Sequence, residues 1–180
     1  MPTTSLFRVD REARRLLERV GVSAPAVPVE KVAEALGLEV VYQRFDDDLS
    51  GLLVKEGGKS TIGINACHAK TRQRFSLAHE IAHFWLAHPG DMFVDKGATV
   101  VLFRDGRAGS GTSLHEMEAN RFAAALLMPA DFLIQSLGSM DEADAADPER
   151  LATSLAREYH VSPQAMRFRL SALGLFAAEK

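Results

Sequence analysis

Two histidines one helical turn apart, with a glutamate beside the first, are the residues of this chain best placed to do chemistry: His79-Glu80-Ile81-Ala82-His83. Four residues of helix turn through about 400°, so His79 and His83 would leave one face about 40° apart, one above the other. Imidazoles placed in this way can share one metal ion, and zinc is the ion that such a pair suits best. Glu80 follows the first ligand and can reach a water on that metal, where a carboxylate serves as general base for hydrolysis. The five residues predict a zinc peptidase, with Mn2+ or Fe2+ as alternative ions.

That chemistry requires a helix. From Thr71 to His88, Phe75, Ala78, Ala82 and Leu86 recur at helical spacing, and Pro89-Gly90 ends the run. His88 would fall about 140° off the ligand face of a continuing helix, which makes it a cation at the helix end rather than a ligand.

A catalytic zinc site needs a third protein ligand and an open position for water. The downstream donors cluster in His115-Glu116-Met117-Glu118-Ala119-Asn120. Glu116 and Glu118 stand about 200° apart on a helix, so at most one faces the metal, and spacing does not choose between them. Ser113-x-x-Glu116 also fits a capping box, and Glu118 also fits a solvated face. Asn120, one turn beyond Glu116, could support a metal-bound carboxylate there. Tyr42, His115 and Arg121 are candidates for stabilising an oxyanion.

The elements around these residues read as follows. Ala13, Leu16, Leu17 and Val20 give a first packing helix, and Val29, Val32, Ala33 and Leu36 a second, begun at Pro28 and stopped by Gly37. Leu38 to Tyr42 is strand-like. Gly51–Lys55 and Ser60–Asn65, joined through Gly57-Gly58, form a hairpin whose edge could receive an extended peptide. Gly90 to Ser113 holds five glycines and lacks helical periodicity, with a possible strand at Thr99–Phe103. Leu114 to Met128 is an Ala-rich helix ended by Pro129. Helices follow at 130–137, at 148–159 with Asp147 as cap, and at 163–173 with Ser162 as cap and Gly174 as stop. The expected class is α+β: zincin-like helices with a small antiparallel sheet in residues 1–138, then a helical extension at 139–180 packed on that domain or binding a partner.

With 180 residues, 47% of them apolar, the chain can bury a real core. A net charge of -3 and a pI near 6.1 give no basic footprint for nucleic acid. One cysteine, Cys67, excludes a disulfide framework, and the start lacks the pattern of a signal peptide. No apolar run reaches membrane-spanning length, so the expected location is cytoplasmic.

Two stretches together carry a resemblance to a known family: Arg72 to His83, and Glu116-Met117-Glu118-Ala119-Asn120-Arg121-Phe122-Ala123-Ala124-Ala125-Leu126-Leu127-Met128-Pro129. They resemble the ImmA/IrrE family of metallo-endopeptidases, with weaker support from Ile62–Asn65 and Val161–Leu170. The resemblance implies His79, His83 and Glu116 as zinc ligands, Glu116 being preferred to Glu118, and Glu80 as the catalytic glutamate. It also implies cleavage of a helix-turn-helix transcriptional repressor, releasing genes for stress response or mobile-element transfer. The repressor is expected as a separately encoded partner.

Two other functions use the same residues. A zinc-binding module could dock a repressor without cutting it, although it would not need Glu80. The helices from Leu151 to Leu170 could form a DNA-binding pair with Arg167 and Arg169 on the second. Residues 147–180 carry five basic and four acidic side chains, a net of +1, too little for a strong phosphate footprint, so direct DNA binding is not expected.

Overall fold

The computed structural model describes residues 3–46, 48–95, 111–141 and 147–175. The expected strand at Thr99–Phe103 and most of the glycine-rich connection lie outside the described residues.

Helix α1 (Thr3–Val20) buries Val9, Ala13, Leu16 and Leu17, an i, i+4, i+7, i+8 stripe. Helix α2 (Val29–Ala35) buries Val29, Val32 and Ala33, and strand β1 (Glu39–Gln43) follows. Strands β2 (Gly51–Glu56) and β3 (Lys59–Asn65) form the expected hairpin, whose turn glycines Gly57 and Gly58 have φ of 57° and 78°. Two consecutive positive φ angles are what a two-residue hairpin turn of type I′ demands. The metal-motif helix α3 (Lys70–Trp85) comes next, then strand β4 (Met92–Asp95). Helices α4 (Gly111–Leu127), α5 (Ala130–Gly138), α6 (Pro148–Tyr159) and α7 (Pro163–Ala172) complete the order. Asp147 caps α6 by accepting from the backbone N–H groups of Glu149 and Arg150, and Ser162 caps α7 by accepting from Ala165.

The protein is α+β, and the four strands among the described residues form a mixed sheet, rather than the expected antiparallel one, in the order β1-β3-β2-β4. The hairpin gives β2 one edge of β3. The other edge takes β1, which runs parallel to β3 with Tyr42 opposite Ile64. Strand β4 then adds antiparallel to β2, Phe93 opposite Leu53 and Asp95 opposite Gly51. Both hairpin strands are therefore interior, which corrects the expectation that the hairpin offers an edge to a peptide. The edge strands among the described residues are β1 and β4.

Helix α3 packs against α4, α2 and the sheet, so it runs through the middle of the molecule. Leu77, Ala78, Ile81 and Ala82 are fully buried there with Leu53, Ile62 and Ile64 of the sheet and Phe122 of α4. Leu151, Leu155, Tyr159, Met166 and Leu170 of α6 and α7 belong to the same apolar cluster. The buried Arg169 donates from Nε to the Met128 carbonyl at 3.0 Å, and its Nη1 lies 3.5 Å from Asp10, which also receives two hydrogen bonds from Arg121.

Asn65 fixes the approach to α3. It is fully buried, and its Nδ2 donates to the Leu49 and Asp46 carbonyls at 2.8 and 3.2 Å while its Oδ1 accepts from the Cys67 N–H at 3.0 Å. Gln73 of α3 completes the corner by donating to the carbonyls of Ala66 and His68. Substituting Asn65→Ala removes the partner of several part-buried backbone groups, and each such group costs about 1–3 kcal/mol where water cannot replace the bond. Its denaturant midpoint is expected well below that of the wild type, and an unchanged midpoint would show that the corner is not a structural hub.

Candidate metal centre

Nine buried residues of α3, from Gln73 to His83, leave little room on this helix for solvated polar groups. Yet His79, Glu80 and His83 are among them, exposed by 2%, 0% and 1%. Burying three ionisable groups side by side is costly unless each is hydrogen-bonded or holds a charge partner.

Helix α4 supplies part of that compensation. Glu116 Oε2 lies 3.3 Å from His79 Nε2, Glu116 Oε1 lies 3.4 Å from His83 Nε2, and the two Nε2 atoms are 3.0 Å apart. His79, His83 and Glu116 form a group whose donor atoms all lie within 4.8 Å of one another, and the group could hold a metal ion. Four donors at about 2.0–2.1 Å from a tetrahedral ion stand about 3.3–3.4 Å apart. The two imidazole–carboxylate separations match that spacing, one to each oxygen of Glu116, and the two imidazole nitrogens stand closer, at 3.0 Å. The Glu116 carboxylate is spent on the imidazoles rather than on a capping box.

The back faces of the two rings are held differently. His79 Nδ1 is 3.1 Å from Asn120 Oδ1, and Asn120 Nδ2 donates to the Glu116 carbonyl at 2.7 Å. Asn120 therefore orients His79, where the sequence suggested support for the Glu116 carboxylate. His83 Nδ1 meets His88 Nδ1 at 2.9 Å, and Phe93 of β4 stacks on the His83 ring with centroids 4.4 Å apart.

His88 is a correction to the sequence reading. It is 5% exposed, and its other nitrogen lies 3.3 Å from Glu118 Oε2. Helix α3 ends at Trp85, and Ala87 takes φ of 53°, reversing the chain. The N–H of His88 then donates to the His83 carbonyl and that of Ala87 to the Phe84 carbonyl, the pair of bonds that defines a Schellman motif. A straight-helix projection misses the reversal, and the alanine at the left-handed position hides a signal that glycine would have given. Glu118 is likewise not on a solvated face: it is 6% exposed, and Arg8 Nη2 lies 3.5 Å from its Oε1.

Of the three oxyanion candidates, His115 stands closest to the group, stacked on His88 with centroids 4.6 Å apart. Tyr42 donates to Glu30, and Arg121 is engaged with Asp10. Asp95 is an acid that sequence reasoning missed. It is buried at the end of β4, accepts from Ser76 of α3 at 3.3 Å, and acts on both His79 and Glu80 through space.

Electrostatics favour a cation in this cage. Burial works against a charged His79, yet its hydrogen bond to Glu116 and the fields of Glu80, Asp95 and Glu116 outweigh it and lift the ring to about 9. Burial also opposes charge on Glu116, but the two imidazoles hold its carboxyl well below the usual range. Burial pushes His83 down, and it takes His88 to about 4, aided there by His83 and His115. A metal ion on the Nε2 atoms would supply the positive charge that a proton on His79 otherwise provides.

Glu80 stands apart. Burial, reinforced by Asp95 and Glu116 against the opposing pull of His79, raises it to about 8, and both of its carboxylate oxygens are buried without a hydrogen-bond partner among the described residues. A carboxylate so placed is expensive unless a water or ion meets it. The donor set and this orphaned acid together fit a metal with its water.

No helix among the described residues is long and apolar enough to cross a membrane. The fold is similar to that of a solved structure described as a Mycobacterium tuberculosis transcriptional regulator, with a TM-score of 0.61 at 17% sequence identity. The alignment covers 91% of this chain and 47% of that one, so the chain spans about half the length of that protein. No curated protein matches the sequence. Residues 33–171, well over half of the chain, match the family Peptidase M78, described as the IrrE N-terminal-like domain. The stretch includes α3, α4 and every residue of the His79–His83–Glu116 group, and the chain therefore belongs to the Peptidase M78 family of IrrE N-terminal-like domains.

Proposed function

We propose that the protein is a zinc-dependent endopeptidase in which His79, His83 and Glu116 hold the metal and Glu80 is the general base. The observation that carries the reading is the buried, unpartnered carboxylate of Glu80 next to a three-donor group. A divalent ion bound there would polarise the scissile carbonyl and acidify the attacking water. Glu80 would accept that water's proton and return it to the leaving amine, its raised affinity for protons suiting it to both steps.

The substrate is proposed to be a helix-turn-helix transcriptional repressor in the same compartment, the cytoplasm, whose cleavage releases stress-response or mobile-element genes. The family resemblance supports this reading, as does a fold shared with a transcriptional regulator. Direct reading of DNA by α7 is disfavoured, because Arg169 is 3% exposed and bonded to the Met128 carbonyl, and Arg167 is held by Glu149. The test is to incubate the zinc-loaded protein with the repressor encoded beside it and to follow the repressor's mass. A defined cut by the wild type, absent with Glu80→Ala, supports the peptidase. A tight complex with no cut would leave a docking module instead.

Gly51 offers a second handle on Glu80. A Cβ added at Gly51 would lie 3.2 Å from Glu80 Oε1 and 3.5 Å from its Cγ, so the carboxylate enters where β2 has no side chain. Substituting Gly51→Ala is expected to retain zinc uptake while lowering the cleavage rate about tenfold or more, as displaced catalytic groups generally do. Wild-type turnover in that variant would show that the position of Glu80 is not critical.

A further inference from the structure

We propose that His88 and Glu118 are positioning residues for the His83 ligand, forming a buried relay from Glu118 through His88 to His83. The inference rests on the reading of His83 as a metal ligand. It starts from how the chain turns at the end of α3. In a Schellman motif the second residue past the cap is folded back over the residue three places before it, and here those two residues are His88 and His83. The contact usually made there is apolar. In this chain it joins two imidazole nitrogens, Nδ1 to Nδ1, at 2.9 Å.

One choice then fixes every proton along the line. If His83 presents the lone pair of Nε2 to a metal, its Nδ1 must carry the hydrogen and donate it. His88 Nδ1 must therefore accept, and its Nε2 must carry a hydrogen. The atom facing His88 Nε2 is Glu118 Oε2 at 3.3 Å, a pure acceptor, so the line closes without conflict. Arg8 Nη2 lies 3.5 Å from the other oxygen of Glu118 and so helps to place that carboxylate. Lys55 donates to the His88 carbonyl, and Phe93, whose ring Lys55 also covers, stacks on His83. The ring of His83 is thus held at its edge and on its face.

The arrangement differs from that of His79, whose Nδ1 meets the neutral amide of Asn120. A carboxylate at the end of an imidazole chain makes the ligand more electron-rich than an amide does, so His83 is the stronger donor of the pair. Partners of this kind commonly change metal affinity by about 10–100-fold when removed.

The test is zinc affinity, measured by competition with a chromophoric chelator, together with the visible spectrum of the Co2+-substituted protein. His88→Leu is expected to weaken zinc binding about 10–100-fold and to shift the Co2+ bands. His88→Gln, whose amide can accept from His83 and donate to Glu118, is expected to recover most of the affinity. Glu118→Ala and Glu118→Gln form a parallel pair that leaves the His88 ring in place and decides the matter if His88→Leu does not fold. A merely structural role would lower the stability of the metal-free variants and leave zinc affinity and the Co2+ spectrum alone, which would overturn the relay. Wild-type protein that takes up no zinc, or His83→Ala that keeps wild-type affinity, would overturn the metal reading and the relay together.

Discussion

Glu80→Gln is expected to cost about 10²–10⁴ in peptidase rate while leaving zinc content and fold unchanged. The substitution keeps the size and shape of the side chain and removes only its capacity to take a proton. Its site is fully enclosed, with His79 and Glu116 on the ligand side and Asp95 acting through space from β4. None of those neighbours can replace it as base. Glu116 is committed to the two imidazoles and His79 to Glu116 and Asn120. Asp95 accepts from Ser76. The fold should survive, because neither Glu80 oxygen has a hydrogen bond to lose among the described residues. The measurement pairs single-turnover cleavage of the repressor with metal analysis of the same sample. Full turnover in the zinc-loaded variant would remove Glu80 from the mechanism, whereas loss of zinc along with activity would make it a structural support of the site.

That centre was legible where periodicity and chemistry coincide. The spacing of His79 and His83 demands a helix, and Phe75, Ala78 and Ala82 supply its apolar side. The hairpin could be read from Gly57-Gly58 because positive φ at both positions admits few other residues. What remained hidden depends on long-range geometry. Nothing in Glu39–Gln43 says that β1 will lie parallel to β3 on the far side from β2, and that placement, with β4 on the β2 side, takes both edges away from the hairpin. The parity of Glu116 and Glu118 was correct as geometry, since the two carboxylates do diverge, one to His79 and His83 and the other to His88. The alternative of a solvated face for Glu118 does not hold, because α4 is buried against α1 as well as α3, which leaves it little solvated face at that level. His88 departs from the straight-helix projection for a local reason: α3 ends at Trp85, three residues before it, and Ala87 takes the left-handed conformation that folds it back. Asp95 carried no signal because its strand is short and its partner acids come from other elements.

Zinc itself should then act as a folding ligand. The three donors converge from two helices, α3 and α4, that form one of the main packing interfaces of the molecule, so a bound ion would cross-link them in the native state alone. With free zinc at about 1,000 times its dissociation constant, the folded state should gain about 4 kcal/mol over the metal-free protein. For a chain of this size that corresponds to a rise in Tm of roughly 8–16 °C, reversed by a chelator. His79→Ala and Glu116→Ala are expected to lose almost all of that rise. Glu118→Ala should keep a reduced part of it, because removing a group behind a ligand weakens the site without deleting a donor. The comparison is severe on the choice between the two acids. If Glu116→Ala retained the full shift and Glu118→Ala abolished it, the third ligand would be Glu118, and α4 would have to rotate by about 200° of helical phase from the orientation seen here.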